Sequence, residues 1–479
     1  MSSLSSVAGK GALWQVFTSG LQAIVRVSAS AILARRLDPV DFGIFGIAYM
    51  CYELFNRLSI SGLTSGLIAK KNLTREDLST CFWAVITSRG VLFFLMLLFA
   101  PAIASFFKNP KLVPVLRVIS FVFIITGCGA VSQTILTRKL FFKKLALIRL
   151  TAGILESIIA VILVLTTNIK YWSLVLAILL SSIFFNLLVI IKAKWFPTFT
   201  FNFKRFKYFF NFGINSMGTA ILSYFSTNLD YWVVAKLLGA RMLGFYEFAY
   251  RIPHMISERV SSPAGSVFFP VLAAGERTNE QLARGYLKAS SYLAWIMFPC
   301  FGGLAITAPL VVNVLWGKKW LLIVPSLQIL CIAAALGSFW WLHRGVFLVK
   351  NRPDLPLKLS ILQFIFACLF IVPLCYKFGI IGVACGITLS RFVQIISSWL
   401  AMKMLSRNFK EWLFVVAKPL LVTLFMMIIV YLVRNFLLGQ DVSSVSSLII
   451  CILIGALAYI LLAFILFKRE VLEFKSIVV

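Results

Sequence analysis

The chain has 479 residues, of which 61% are hydrophobic and only 13% are charged. Soluble domains average about 45–50% apolar and about 25% charged residues, so the composition excludes an ordinary water-soluble domain and indicates a polytopic membrane protein. The net charge of +30 would suit a nucleic-acid binder. The basic residues are spread over the loops, however, which is typical of membrane topology signals and predicts contact with anionic lipids, not with nucleic acid.

Apolar segments long enough to cross a bilayer recur along the whole chain, since a crossing helix needs about 20 residues. Fourteen spans are predicted, at residues 12–34, 42–69, 80–107, 112–137, 145–167, 171–191, 209–235, 243–272, 288–316, 320–349, 357–376, 379–402, 412–433 and 446–467. The loops on the side of the N-terminus carry 23 Lys and Arg against 11 on the other side. This asymmetry predicts that both termini are cytoplasmic. No pair of the nine cysteines has C-x-x-C spacing, so no metal site is predicted.

The first loop recurs later in the chain. We call "ILARRLDPVDFGIFGIAY" (32–49) the first elbow and "VVAKLLGARMLGFYEFAY" (233–250) the second elbow; at a shift of 201 residues Gly43 matches Gly244. Six spans separate the two elbows, which indicates a parallel repeat of two six-helix lobes around a central cavity. The predicted domains are lobes at 1–191 and 209–402, a cytoplasmic basic linker at 192–208, and two additional helices with a cytoplasmic tail at 403–479.

Polar residues form stripes at helical spacing within the first and seventh spans. The cavity-lining candidates are Gln15 and Gln22 in the first stripe and Asn215, Thr219 and Ser223 in the second. Each stripe also holds an ionisable residue, Arg26 and Asp230. Hydroxyl and amide groups also join transmembrane helices. The ionisable residues favour a hydrated cavity instead, because a charge in lipid costs about 3 kcal/mol.

Two glutamate–arginine pairs lie four residues apart in the second and eighth spans, namely Glu53 with Arg57 and Glu247 with Arg251. A glutamate placed four residues before an arginine favours an ion pair along a helix. A simpler interpretation is that each pair only neutralises its own two charges within the membrane. Arg26 and Arg259 have no obvious partner in the sequence. In the tenth span "WWLHRG" places His343 and Arg344 beside two tryptophans, which is consistent either with a sugar-pyrophosphate site or with an interfacial aromatic belt.

The two elbows and "WGKKWLLIVPSLQILC" (316–331) resemble the polysaccharide transporters, the Wzx-type flippases of the multidrug/oligosaccharidyl-lipid/polysaccharide exporter superfamily. The resemblance covers essentially the whole chain and is strongest to the colanic-acid exporter branch. It implies movement of an undecaprenyl-pyrophosphate-linked oligosaccharide across the bacterial inner membrane for O-antigen, capsule or exopolysaccharide assembly. The positions implied to hold the pyrophosphate are Arg26, Arg57, and Arg251 or Arg259, and Arg344 joins this set as a candidate.

The chemistry of the residues agrees with that expectation, because arginine stays protonated and offers a planar fork of donors to phosphate oxygens. Release of the substrate is expected to involve the carboxylates Asp230, Glu53 and Glu247, which either compete for the arginines or take up H⁺ or Na⁺. No other cofactor is expected. Further expected partners are a polysaccharide polymerase and glycosyltransferases. The alternatives are a cation-coupled multidrug exporter of the same superfamily and, less favoured, a membrane polysaccharide polymerase or ligase; no catalytic constellation is visible, which argues against an enzyme.

Overall fold

The computed structural model describes residues 2–59, 62–70, 72–273, 278–440 and 442–468, with side chains except at 2–17, 19, 62, 65, 69, 211–217, 219, 260 and 262–273. The regular secondary structure of these residues is helical, and no strand occurs in them. A 3₁₀ helix, Lys318–Ile323, precedes α12. The α-helices in chain order are α1 (Ser2–Arg36), α2 (Pro39–Leu58), α3 (Gly62–Ala69), α4 (Arg75–Phe106), α5 (Leu112–Ile119), α6 (Phe121–Arg138), α7 (Phe142–Thr166), α8 (Trp172–Ala193), α9 (Phe203–Leu237), α10 (Gly239–Ala273), α11 (Asn279–Trp316), α12 (Val324–Gly337), α13 (Trp340–Val349), α14 (Asp354–Arg391), α15 (Val393–Met404), α16 (Phe409–Gly439) and α17 (Ser444–Leu466).

These helices account for all fourteen predicted spans, and several spans are built from more than one piece. The second span consists of α2 and α3, the fourth of α5 and α6, and the tenth of the 3₁₀ helix with α12 and α13. The eleventh span and the first part of the twelfth run together in α14, and α15 completes the twelfth. Gly379 interrupts α14 with a φ of 59°, which favours glycine. A side chain at Gly382 would overlap the carbonyl oxygen of Leu374, so the chain folds back at Gly379. The predicted all-α polytopic membrane fold is confirmed.

Nine helical segments of the described chain are both long and apolar enough to cross a membrane. The nine do not include α1, α2, α9 or α10, which carry the predicted first, second, seventh and eighth spans. These are the helices with the polar stripes and the glutamate–arginine pairs.

The contacts divide the chain into two units, residues 1–244 (the first unit) and residues 245–479 (the second unit). In the first unit α7 packs against α1 and α8, α6 packs against α4 and α8, and α9 packs on α2 and α3. In the second unit α11 packs against α12 and α16, α12 packs against α14, and α17 covers α11 and α16. Residues 209–244 thus pack within the first unit, and the lobe boundaries drawn from the repeat stay a prediction.

Loops that the prediction assigns to the same side of the membrane contact one another. In the first unit Arg205, within the predicted basic linker, bonds Asp77 at the start of α4 over 2.6 Å. Lys70 bonds the same carboxylate over 2.8 Å. In the second unit Arg407 lies 3.4 Å from Glu280. The loop contacts agree with the predicted alternation of crossings.

The two elbows meet inside the first unit at their matched glycines. A Cβ atom on Gly43 would overlap the carbonyl oxygen of Ala240, and one on Gly244 would overlap the carbonyl oxygen of Pro39. Because the obstacle is backbone in both cases, only glycine lets the chains approach this closely. The repeat detected in the sequence is therefore also a reciprocal packing contact.

Two prolines inside α11 release backbone carbonyls, because proline has no N–H to donate to the residue four positions earlier. For Pro299 the released carbonyl is that of Trp295, which accepts a hydrogen bond from the Tyr459 hydroxyl over 3.0 Å. For Pro309 it is that of Ala305, which accepts from the Gln328 amide over 2.9 Å. Side chains from α12 and α17 thus donate hydrogen bonds to both released carbonyls of α11.

Candidate functional site

An ion pair joins α1 to α7 in the first unit. The Arg26 guanidinium lies 3.6 Å from the Glu156 carboxylate, and the two side chains are 58% and 34% exposed. One turn earlier on α1, Gln22 packs so tightly on Gly153 of α7 that a Cβ atom there would overlap the Gln22 amide. The Gln22–Gly153 contact fixes the two helices side by side and brings Arg26 next to Glu156. The described part of the first polar stripe therefore faces α7.

The predicted pair on α2 is formed: Arg57 lies 3.3 Å from Glu53. Tyr49, one turn before Glu53, interacts electrostatically with Glu53, Glu156 and Arg26. Its ring is 5.9 Å from that of Tyr52. Tyr49 thus connects the ion pair within α2 to the ion pair between α1 and α7.

A third arginine, on α4, lies near these two ion pairs and contacts α6. Arg89 on α4 donates a hydrogen bond to the Thr126 hydroxyl of α6. Tyr52 interacts electrostatically with Arg89 and Glu53. We call Arg26, Glu53, Arg57, Arg89 and Glu156, with Tyr49 and Tyr52, the first-unit cluster. Three guanidinium groups and two carboxylates give it one positive charge in excess.

A second charged group follows one face of α10 in the second unit. Arg251 lies 2.5 Å from Glu247 and its guanidinium is 4.5 Å from the centre of the Phe248 ring. The His254 ring contacts that of Tyr250, with 5.1 Å between the ring centres and a tilt of 32°. His254 also interacts electrostatically with Glu258 and with Arg391 of α14. We call Glu247, Arg251, His254, Glu258 and Arg391 the second-unit cluster. Both predicted glutamate–arginine pairs therefore exist.

The remaining predicted site residues lie at several places. Asp230 on α9 is 1% exposed, Ser223 on the same helix is exposed, and Arg259 on α10 is half-buried. Arg344 is exposed, with its guanidinium 5.7 Å from the Trp341 ring. Gln15, Asn215 and Thr219 lie outside the residues whose side chains the structure describes.

His343, the neighbour of Arg344, lies in the protein interior and has a structural role. It is fully buried, its Nε2 lies 3.0 Å from the Ser398 hydroxyl, and its ring lies 6.1 Å from that of Tyr286. Within "WWLHRG", Arg344 is exposed and the two tryptophans are partly exposed, while His343 is closed to a ligand. Within the described residues no group of three metal-ligating side chains occurs.

Sequence reasoning missed Glu156, and with it the partner of Arg26. The available signal was weak: Glu156 is the one acidic residue in the apolar helix α7. An acidic residue four positions from an arginine is visible in a sequence, but a partner on another helix is not. Only the packing of α1 on α7 identifies this pair.

The arrangement as a whole favours binding of an anion. Arginine and tyrosine donors project from helices that cross the membrane, and the exposed guanidinium of Arg26 is accessible to a ligand. Charged groups within membrane spans generally face water or one another, so these positions indicate a hydrated region. Phosphate groups suit it because guanidinium forms charge-assisted hydrogen bonds with their oxygens.

The fold is that of a known flippase. The chain superposes on a structure titled "Lipid II flippase MurJ, inward closed conformation" with a TM-score of 0.79 and 17% sequence identity, covering 96% of this chain and 100% of that one. The chain is thus a multi-pass membrane protein that shares the fold of that flippase.

Sequence comparison defines the family. A family model described as "Polysaccharide biosynthesis protein" matches residues 32–325, and the chain belongs to this family. It is 25% identical over 464 residues to the teichuronic acid biosynthesis protein TuaB of Bacillus subtilis (strain 168), with 96% of each chain covered. It is 24% identical over 438 residues to the lipopolysaccharide biosynthesis protein WzxC of Escherichia coli (strain K12), with 90% of this chain and 88% of that one covered. The resemblance to polysaccharide transporters is confirmed.

Proposed function

We propose that this protein is a flippase that moves an undecaprenyl-pyrophosphate-linked oligosaccharide across the bacterial inner membrane for surface polysaccharide assembly. The observation that carries the proposal is the first-unit cluster, in which three arginines and two tyrosines meet on membrane helices with one positive charge in excess. A pyrophosphate diester carries two negative charges and offers several oxygens to guanidinium groups. An excess of arginine is poorly suited to a cationic drug.

The cycle we propose is alternating access, in which the lipid-linked glycan binds from the cytoplasmic side and leaves on the other side. The glycan itself passes through the hydrated region, while the polyprenyl chain stays in the bilayer. Coupling to H⁺ or Na⁺ belongs to the proposal, with Asp230, Glu53 and Glu247 as the candidate carboxylates. A polysaccharide polymerase and glycosyltransferases are the proposed partners, and both termini are proposed to be cytoplasmic.

Removal of single arginines tests the proposal. We expect Arg26→Ala, Arg57→Ala and Arg251→Ala each to reduce surface polysaccharide at least about tenfold, because each removes a guanidinium that is proposed to bind phosphate oxygens. The measurement is surface glycan in a strain whose own flippase gene is deleted and replaced by each variant. Arg284→Ala is the matched control, since its side chain is 76% exposed and pairs with Glu280 near the start of α11, outside both clusters.

The amount of each variant in the membrane is measured in parallel, so that loss of protein is separated from loss of transport. Normal surface glycan in all three single variants, with protein present, would contradict the proposal. A loss of glycan in Arg284→Ala as large as in the others would also count against it, since that variant leaves both clusters intact.

A further inference from the structure

The two ion pairs of the first-unit cluster differ in how they are built. Glu53 and Arg57 are four residues apart on one helix and 3.3 Å apart in space, so the pair moves with α2 as a unit. Arg26 and Glu156 are on different helices and 3.6 Å apart. Backbone geometry does not oblige the second pair to stay together. A competing anion therefore separates Arg26 from Glu156 more easily than it separates Arg57 from Glu53.

Arg26 is also the accessible member of its pair. Its side chain is 58% exposed while that of Glu156 is 34% exposed, so a ligand can approach the guanidinium without first displacing α7. The contact between Gln22 and Gly153 holds the helices together one turn away, so the ion pair can open without separating α1 from α7. Glu156 then remains within reach of Arg26.

From these contacts we propose that Glu156 is a release residue for the anionic substrate. It holds Arg26 when the site is empty, gives the guanidinium up to the phosphate, and takes it back as the substrate leaves. A phosphate with several charged oxygens outcompetes a single carboxylate on arrival. On departure the carboxylate prevents Arg26 from remaining uncompensated in the membrane, where a lone charge is costly. The inference rests on the proposed function and adds a positioning residue to it.

Substitution of Glu156 separates this role from a purely structural one. We expect Glu156→Gln to bind undecaprenyl pyrophosphate about three- to fivefold more tightly than the unaltered protein, the scale of a partly exposed ion pair. Dissociation should slow in proportion, and transport should fall. A residue that merely fastens α1 to α7 would lower stability without raising the affinity.

The assay uses the full chain in nanodiscs of phosphatidylcholine, which has no net charge and so does not compete as an anion. Undecaprenyl pyrophosphate is the probe, and affinity and dissociation rate are measured by titration and by dilution. Glu280→Gln is the matched control, because it removes a carboxylate in the first turn of α11 that is 55% exposed and pairs with Arg284. The affinity of this variant should equal that of the unaltered protein.

The possible failures are distinguishable. If the unaltered protein does not bind the probe, the proposed function fails. If it binds, and Glu156→Gln binds equally or more weakly, the release role is wrong while the proposed function stands. Should Glu156→Gln not fold, Glu156→Asp provides the same test, because its side chain is one methylene shorter and holds Arg26 less well. Unchanged affinity in that variant would likewise overturn the inference.

Discussion

Single residues decide how closely the two elbows approach each other. Gly43 and Gly244 were matched in the sequence by the shift of 201 residues, and each lies against a backbone carbonyl of the other elbow. A side chain would have to push the backbone away, since a carbonyl has no rotamers to change. The same two glycines are thus matched positions of the sequence repeat and also form the contact between the two elbows.

The elbow contact predicts a stability loss on enlargement of either glycine. Gly43→Ala should destabilise the protein by about 1–3 kcal/mol, the usual cost of overpacking a tight contact. The measurement is thermal unfolding of the protein purified in detergent. Gly90→Ala in α4 is the control, because open space surrounds that glycine and alanine favours a helix more than glycine does. Equal melting temperatures for the two variants would refute the contact.

Helices with internal prolines depend on their neighbours for hydrogen bonds. In α11 the carbonyls released by Pro299 and Pro309 accept from Tyr459 of α17 and Gln328 of α12, and the next carbonyl, of Ile306, accepts from Arg434 of α16 over 2.8 Å. Arg434 is therefore an arginine on a membrane helix with a structural role. The two additional C-terminal helices stabilise α11 through these bonds as well as through apolar packing.

Removal of one such donor should weaken α11. We expect Tyr459→Phe to cost about 1–2 kcal/mol in stability, because the Trp295 carbonyl loses its hydrogen-bond partner inside the protein. The readout is again thermal unfolding in detergent. Tyr376→Phe in α14 serves as the comparison, since that tyrosine is 73% exposed and should change little. Identical melting temperatures for the two variants would show that the Tyr459 bond contributes nothing.

For the whole molecule, the orientation in the membrane follows from the distribution of basic residues. The segment 192–208 and the start of α4 are joined by Arg205, Asp77 and Glu76, with Arg205 and Glu76 2.7 Å apart. Hydrogen bonding to the Asp77 carboxylate raises the pKa of the Arg205 guanidinium, so this contact keeps its charge at any physiological pH. The segment 192–208 and the start of α4 are thereby held together on one side of the first unit. This side is predicted to be cytoplasmic.

Cysteine labelling tests this orientation. A cysteine in place of exposed Lys204 should react with a membrane-impermeant thiol reagent only after the inner membrane is opened. A cysteine in place of exposed Arg241, on the opposite side in the predicted topology, should react in intact spheroplasts. The unaltered protein supplies the background from its own nine cysteines. The reverse pattern would invert the topology, and labelling of both sites in intact cells would contradict the number of crossings between them.

The sequence by itself determined the membrane class, the spans, the repeat and the two pairs Glu53–Arg57 and Glu247–Arg251. All of these depend on composition or on the spacing of residues along the chain. Both can be read from the order of residues without knowledge of tertiary contacts. The tertiary structure decided the partner of Arg26, the buried structural role of His343 and the capping of the α11 carbonyls. Those contacts join residues far apart in the chain, here 130 positions for Arg26 and Glu156, and only the packing of helices brings such residues together.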